Sequence, residues 1–338
     1  MSSSLTKTIK PVIKKLVEES WLIREGERIL IVSDFPSNED FSSKPTELIE
    51  SMVNRNILAK SIHDSITDLI PNPVELYFME PTYEHWKNPK DKILKEKIES
   101  SNIVLTLTEY SLTDTAIVAI PLVKKQIKHI SAPLIPPEVF YPGGPLDIDY
   151  DKIEELSTNL FNLFKDAKKL EFYDIAGSHL SIELPTTWLF ETGRIPEYGM
   201  NTNLPPGELT LKIPYSESDC KISGQLNIFP GWQSGMSDLL ILNISENRLH
   251  DVVGGGEIGE LIQNLIQKEE VKVVQFGIGT NPNAKDPFCP TVADKYYGMA
   301  HIRFHPEINT EHFYFPISKI KVDDKEYNHF QVFRNAER

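Results

Sequence analysis

The feature that most restricts the fold is the short stretch Arg28-Ile29-Leu30-Ile31-Val32, apolar after its first residue and flanked by segments of helical period. A continuous apolar run of this length suits a strand buried on both faces, and strands of that kind belong to parallel sheets. Upstream, Ile9, Val12, Ile13, Leu16 and Val17 recur at helical spacing across residues 8–22. Downstream, residues 45–60 read as helix, Val74 to Phe78 as strand, 90–99 as helix, Ile103 to Leu107 as strand and 113–125 as helix. Strand–helix–strand repetition implies right-handed crossovers and an open, mostly parallel α/β sheet. This domain is placed at residues 1–145.

Proline and glycine then cluster between Pro133 and Pro145, the composition of a linker or surface loop. A helix is expected at about 150–167. Beyond it the segments are short and strand-like, among them Lys169 to Ile175, Leu180 to Leu184, Leu209 to Ile213, Leu239 to Ile244 and Val271 to Phe276, with one helix at about 256–267. Turn residues separate them, which predicts an α+β domain with a largely antiparallel sheet over 146–338. A chain of 338 residues accommodates two such domains.

Charge and cysteine usage exclude several classes of function. A net charge of −14 repels phosphate backbones and anionic lipid. The short basic clusters, Lys124-Lys125 and Lys168-Lys169, read as solvated helix faces, so no nucleic-acid partner is expected. Two distant cysteines, Cys220 and Cys289, supply neither a disulfide framework nor a cysteine zinc site. The N-terminus mixes lysines and glutamates, unlike a signal peptide, and no stretch reaches the ~20 apolar residues of a membrane helix. A cytoplasmic protein without membrane contact is the expectation.

Several segments in order resemble the metal-dependent aminopeptidases of the aminopeptidase T family, whose relatives include iron-dependent dihydroxypyridine ring-cleaving dioxygenases. They are GERILIVSDF at 26–35, SSNIVLTLTEYSLTDTAIVA at 100–119, NLPPGEL at 203–209, VVGGGEIGEL at 252–261, QFGIGTNPNAK at 275–285 and ADKYYGMAHI at 293–302. The resemblance implies a mainly parallel N-terminal domain, a C-terminal domain carrying the site, and a homodimer. In the peptidases of the family, carboxylates, histidines and a tyrosine hold two divalent metals. Residue by residue, the first glutamate ligand corresponds to Glu208 and the histidine of the family's GTxHI segment to His301. A later HxD pair corresponds to His312-Phe313-Tyr314, with tyrosine in place of the aspartate. The second carboxylate corresponds to Gln275, and the family's DEK motif reads Ala293-Asp294-Lys295, with aspartate for glutamate.

These replacements matter chemically. Two cations held close together need several anionic oxygens, and hard divalent ions favour carboxylates. Gln275 removes a full charge, and Tyr314 ligates only after the metal drives off its proton. Glu208, His301 and His312 would still make a three-ligand site. The cofactor expectation is therefore none, or one divalent ion (zinc, cobalt or manganese) at partial occupancy. Glu208 or Asp294 would act as general base if hydrolysis survives. Where the dioxygenases carry a histidine this chain has Gln275, which disfavours that chemistry.

Other motifs read as structural. Gly254-Gly255-Gly256 lacks the lysine and serine of a phosphate loop and reads as a turn before a packing helix. Gly277-Ile278-Gly279 lacks dinucleotide spacing and reads as a tight turn beside the cavity, with Asn281 bonding local backbone. Asp34 falls at a strand end and reads as a helix cap. Three functions stay open: a peptide- or amino-acid-binding protein on an aminopeptidase scaffold with hydrolysis lost, assisting a peptide-modification pathway; a metal-dependent aminopeptidase with an altered, single-metal site; and a mononuclear iron oxygenase. Glu208, Gln275, Asn281, His301, His312 and Tyr314 are the residues expected to contact ligand.

Overall fold

The computed structural model describes residues 4–183, 188–214, 220–230, 236–285, 289–306, 308 and 312–334. The chain divides into two compact units, 1–150 with 193–206, and 151–192 with 207–338. The expected single crossing near residue 145 does not include the return of 193–206 to the first unit.

In the first unit a five-stranded parallel sheet has the order β2-β1-β3-β4-β8. Its strands are β1 (Ile29–Asp34), β2 (Val74–Met79), β3 (Ile103–Leu107), β4 (Lys128–Ser131) and β8 (Asn201–Asn203). β1 and β3 are buried along their whole length, as their continuous apolar runs require. The helices are α1 (Ser4–Lys15), a short α2 (Asp40–Ser43), α3 (Thr46–Leu69), α4 (Lys92–Glu99) and α5 (Ala116–Val123). Ile9, Val12 and Ile13 form the buried stripe of α1, and a π-helical turn carries the chain from Leu16 to Ser20. Asp34 differs from the capping role expected of it. Its carboxylate accepts two bonds from the Glu109 backbone N–H, at 2.8 and 3.0 Å, and so ties the end of β1 to the loop after β3. Burial pushes its carboxyl up to about 6 against the lowering effect of Arg55.

The second unit opens with α6 (Tyr150–Phe164), followed by β5 (Lys169–Tyr173), β6 (His179–Glu183) and β7 (Trp188–Glu191). Leu184, the last residue expected of β6, lies outside the described residues. After β8 come β9 (Glu208–Lys212), β10 (Lys221–Ile228), β11 (Leu240–Ser245), β12 (Arg248–Gly254), α7 (Gly256–Lys268) and β13 (Lys272–Gly279). A short α8 (Pro290–Ala293), β14 (Met299–His305), β15 (Phe313–Pro316), β16 (Lys319–Val322) and β17 (Lys325–Asn328) complete it. All these strands join one antiparallel sheet, in which β13 lies between β14 and β9, β15 flanks β14, and β7 flanks β9. Gly254, Gly255 and Gly256 all have positive φ, so the glycine run is the turn into α7.

Period-2 alternation decides what each strand offers to either face. Leu209 and Leu211, Phe276 and Ile278, Ala300, Ile302 and Phe304, and Phe313 and Phe315 all enter one hydrophobic core. Phe172 packs on Phe276 with ring centroids 4.8 Å apart, and Phe164 lies 5.4 Å from Trp188. The intervening residues, Glu208, Thr210, Gln275, Gly277, His301 and Tyr314, are left to the opposite face. Among the described residues, no helix is long and apolar enough to cross a membrane.

Candidate metal centre

Register brings the alternate residues into one row. Gly277 pairs with Thr210 on β9 and with His301 on β14, and His301 pairs with Tyr314 on β15. Gly279 pairs with Glu208, which sets that carboxylate beside the row. At the centre Gly277 is required by space. A Cβ there would lie 2.2 Å from His301 Cε1 and 2.6 Å from Glu208 Oε1, so imidazole and carboxylate meet over bare backbone.

The segment Thr280-Asn281 holds the other contributors in place. The Thr280 N–H donates to Gly207 O (2.8 Å), next to Glu208, and the Asn281 N–H donates to Lys295 O (3.0 Å). Asn281 Oδ1 accepts from the N–H groups of Asn283 and Ala284, at 2.9 and 3.1 Å. These bonds to local backbone match the role read for it, and they fix the loop carrying Asp294 and Lys295.

Around the row the polar groups form two sets. In the first, His301 and His312 stack with ring centroids 4.9 Å apart and planes 8° from parallel. Asp294 Oδ1 lies 2.7 Å from His312 Nδ1 and 3.9 Å from His301 Nδ1. One donor atom from each of Asp294, His301 and His312 falls within 4.8 Å of the others. Tyr314 stands 6.3 Å, ring to ring, from both histidines. In the second set, Glu208 receives the Lys295 ammonium, the Thr210 hydroxyl and the Gln275 amide, the last at 3.3 Å. Lys295 also reaches Glu191 at 3.2 Å. His301 Nε2, 3.1 Å from Glu208 Oε1, joins the two sets.

The electrostatics follow from burial plus pairing. Burial alone would raise the Glu208 carboxyl, but Lys295 and His301 outweigh it and hold the group well below the usual carboxylate range. Burial of Asp294 is likewise outweighed by His312, His301 and Lys295, which hold it at about 2. Burial would lower His301 and Lys295, yet the facing carboxylates raise both.

The donor chemistry fits a divalent ion. Two imidazoles and one carboxylate suit zinc, cobalt or iron. Bonds of about 2.0–2.2 Å need donors within roughly 4.4 Å of one another, so small side-chain rotations suffice. His301 Nδ1 is buried and has no hydrogen-bond partner among the described residues, although it faces a carboxylate. An ion would satisfy it.

The sequence-based ligand set was Glu208, His301 and His312. The cluster that comes together is Asp294, His301 and His312, with Glu208 engaged by Lys295. Lys295 and Glu191 were not singled out in sequence. The available signal was electrostatic: two glutamates on paired strands β7 and β9, facing each other in register, need a cation.

The chain thus has a parallel α/β unit and an antiparallel unit, an AmpT-like fold, and its antiparallel unit carries a group of two histidines and one aspartate. Two solved structures share the fold over nearly their full length. The 2,5-dihydroxypyridine dioxygenase from Pseudomonas putida KT2440 superposes with a TM-score of 0.67 at 15% identity, over 95% of both chains. AmpT from Thermus thermophilus superposes with a TM-score of 0.58 at 10% identity, over 98% of this chain and 99% of its own. No protein-family model and no curated protein sequence matches the chain.

Proposed function

We propose that the second unit binds one divalent metal ion through Asp294, His301 and His312, and that the protein works as a mononuclear metal site on the AmpT-like fold. The orphaned Nδ1 of His301, facing Asp294 at 3.9 Å beside His312, is the observation that carries this reading. A two-metal hydrolytic centre is disfavoured, because the Lys295 ammonium already neutralises Glu208 and Gln275 brings no charge. The ligand on this reading is a peptide or amino acid, and the homodimer implied by the resemblance belongs to the same proposal.

A second reading, an iron-dependent oxygenase, is favoured by the donor set itself. Two histidines and one carboxylate with open positions are the ligands of non-haem iron oxygenases. Asp294 supplies from another loop the carboxylate that Tyr314 does not.

The test is metal content by elemental mass spectrometry after loading with zinc, cobalt, manganese or ferrous iron. One ion per chain, lost in Asp294→Ala and His301→Ala, is expected; no retained ion sinks the proposal. Ferrous protein that consumes oxygen with a dihydroxylated aromatic supports the second reading, and cleavage of leucyl p-nitroanilide by zinc or cobalt protein supports hydrolysis by one metal.

A further inference from the structure

We infer that Glu208 is not a metal ligand but the positioning residue for His301, and that Lys295 locks it in that role, so that His301 coordinates through Nδ1. The inference rests on the single-metal reading above and assigns what the cluster's own hydrogen bonds do.

The geometry is specific about which nitrogen is which. Glu208 Oε1 lies 3.1 Å from His301 Nε2. Two lone pairs at that separation would repel, so the nitrogen facing the carboxylate carries the proton. Gln275 Nε2 donates to the same Oε1 at 3.3 Å and could give its second N–H to a bare His301 Nε2 at 3.4 Å, but the charged Glu208 oxygen is the nearer group and favours a proton on Nε2. With Nε2 protonated, the neutral ring keeps its lone pair on Nδ1, the buried nitrogen without a hydrogen-bond partner on the side of Asp294. A metal-binding histidine usually donates its other N–H to a carboxylate, which fixes the tautomer and the ring plane.

Glu208 cannot readily leave this post. Its Oε2 receives the Lys295 ammonium and its Oε1 the Thr210 hydroxyl, and its side chain is only 5% exposed. Gly277 leaves no side chain between carboxylate and ring. Turning Glu208 toward an ion bound by Asp294, His301 and His312 would strand Lys295 in the interior with Glu191 as its remaining carboxylate partner at 3.2 Å.

The experiment uses full-length protein labelled with ¹⁵N-histidine and loaded with zinc, read by long-range ¹H–¹⁵N spectra. His301, assigned by loss of its signal in His301→Gln, should show a coordinated Nδ1 and a protonated Nε2; a coordinated Nε2 overturns the assignment. In parallel, Glu208→Gln should still bind one cobalt ion at saturation with unchanged visible band positions and about 10–100-fold weaker affinity, the usual loss for an orienting partner. Shifted cobalt bands, or failure to reach one ion per chain while the variant's thermal melt stays cooperative, make Glu208 a ligand and overturn the inference. Wild-type protein that takes up no metal sinks the single-metal reading separately. The tautomer is then read in metal-free protein at alkaline pH, where Nε2–H with bare Nδ1 supports the Glu208 assignment and the opposite tautomer overturns it.

Discussion

Replacing Lys295 by methionine tests the electrostatic balance of the site directly. Lys295 is 5% exposed, and its ammonium meets Glu208 and Glu191. Methionine fills similar space without the charge and leaves the buried Glu208 carboxylate without its ammonium partner. Removing one partner of a buried ion pair costs about 3–5 kcal/mol, because the remaining charge stays desolvated. For a unit of roughly 150–250 residues each kcal/mol shifts the melting temperature by about 2–4 °C, so Lys295→Met should lower it by roughly 6–20 °C. Differential scanning calorimetry in chelator near neutral pH gives the number. Glu208→Gln and the double variant complete a cycle with a coupling of roughly 0.5–3 kcal/mol, the double variant being less damaged than the sum. The deficit should also shrink as pH falls. Wild-type Glu208, held below its ordinary value, contributes stability above the unfolded carboxyl pKa and loses it as pH drops through the folded one. A melting temperature within 2–3 °C of wild type, or strict additivity in the cycle, would refute the claim that Lys295 compensates Glu208.

Other outcomes follow from the same structure. Saturating metal at about 100 times Kd should stabilise the protein by about 2.7 kcal/mol, and His312→Ala should abolish this gain in a thermal-shift titration. Gly277→Ala places a methyl 2.2 Å from His301 Cε1 and should cost about 1–3 kcal/mol together with metal binding, measured by denaturant melts and metal content. In the first unit, burial pushes the His129 imidazole down from 6.5 to about 4, against a raising bond to Asn201. That neutral ring contributes stability above pH 6.5 and loses roughly 3 kcal/mol as pH falls to about 4. His129→Gln should flatten this acid limb in urea melts.

How much was legible in sequence depends on whether the signal was local. The parallel sheet was, because β1 and β3 are buried at every position and so write themselves as mostly apolar runs. β8 was not: Asn201-Thr202-Asn203 is polar and three residues long, and only its pairing with β4 makes it a strand. In the second unit, alternation around Phe276 and Ile302 marked a core face and a polar face, but not which polar residues would meet. That depends on register, including the irregularity between Val273 and Gln275. His301 and Tyr314 meet because β14 and β15 pair them in register. Asp294 entered the cluster from a loop whose course is set by the backbone bonds of Asn281, and no local pattern encodes that. Lys295 passed as a flank of Asp294 because its two partners lie 87 and 104 residues away.

The return of residues 193–206 to the first unit has a consequence for synthesis. β4 carries His129, whose Nδ1 lies 2.6 Å from Asn201 Oδ1, and the His129 N–H donates to Met200 O at 3.0 Å. A ribosome that has released only the first 150 residues has therefore made a sheet with an open edge and a buried histidine still short of a partner. The emerging chain must wait until residue 203 to close that edge, by which time the first strands of the second unit are already out. A fragment ending near residue 145 would expose the same edge permanently, and open edges of that kind recruit strands from other chains. For this protein the shortest self-sufficient N-terminal piece is set by a tripeptide deep in the sequence, well past the proline-rich segment where a cut looks natural.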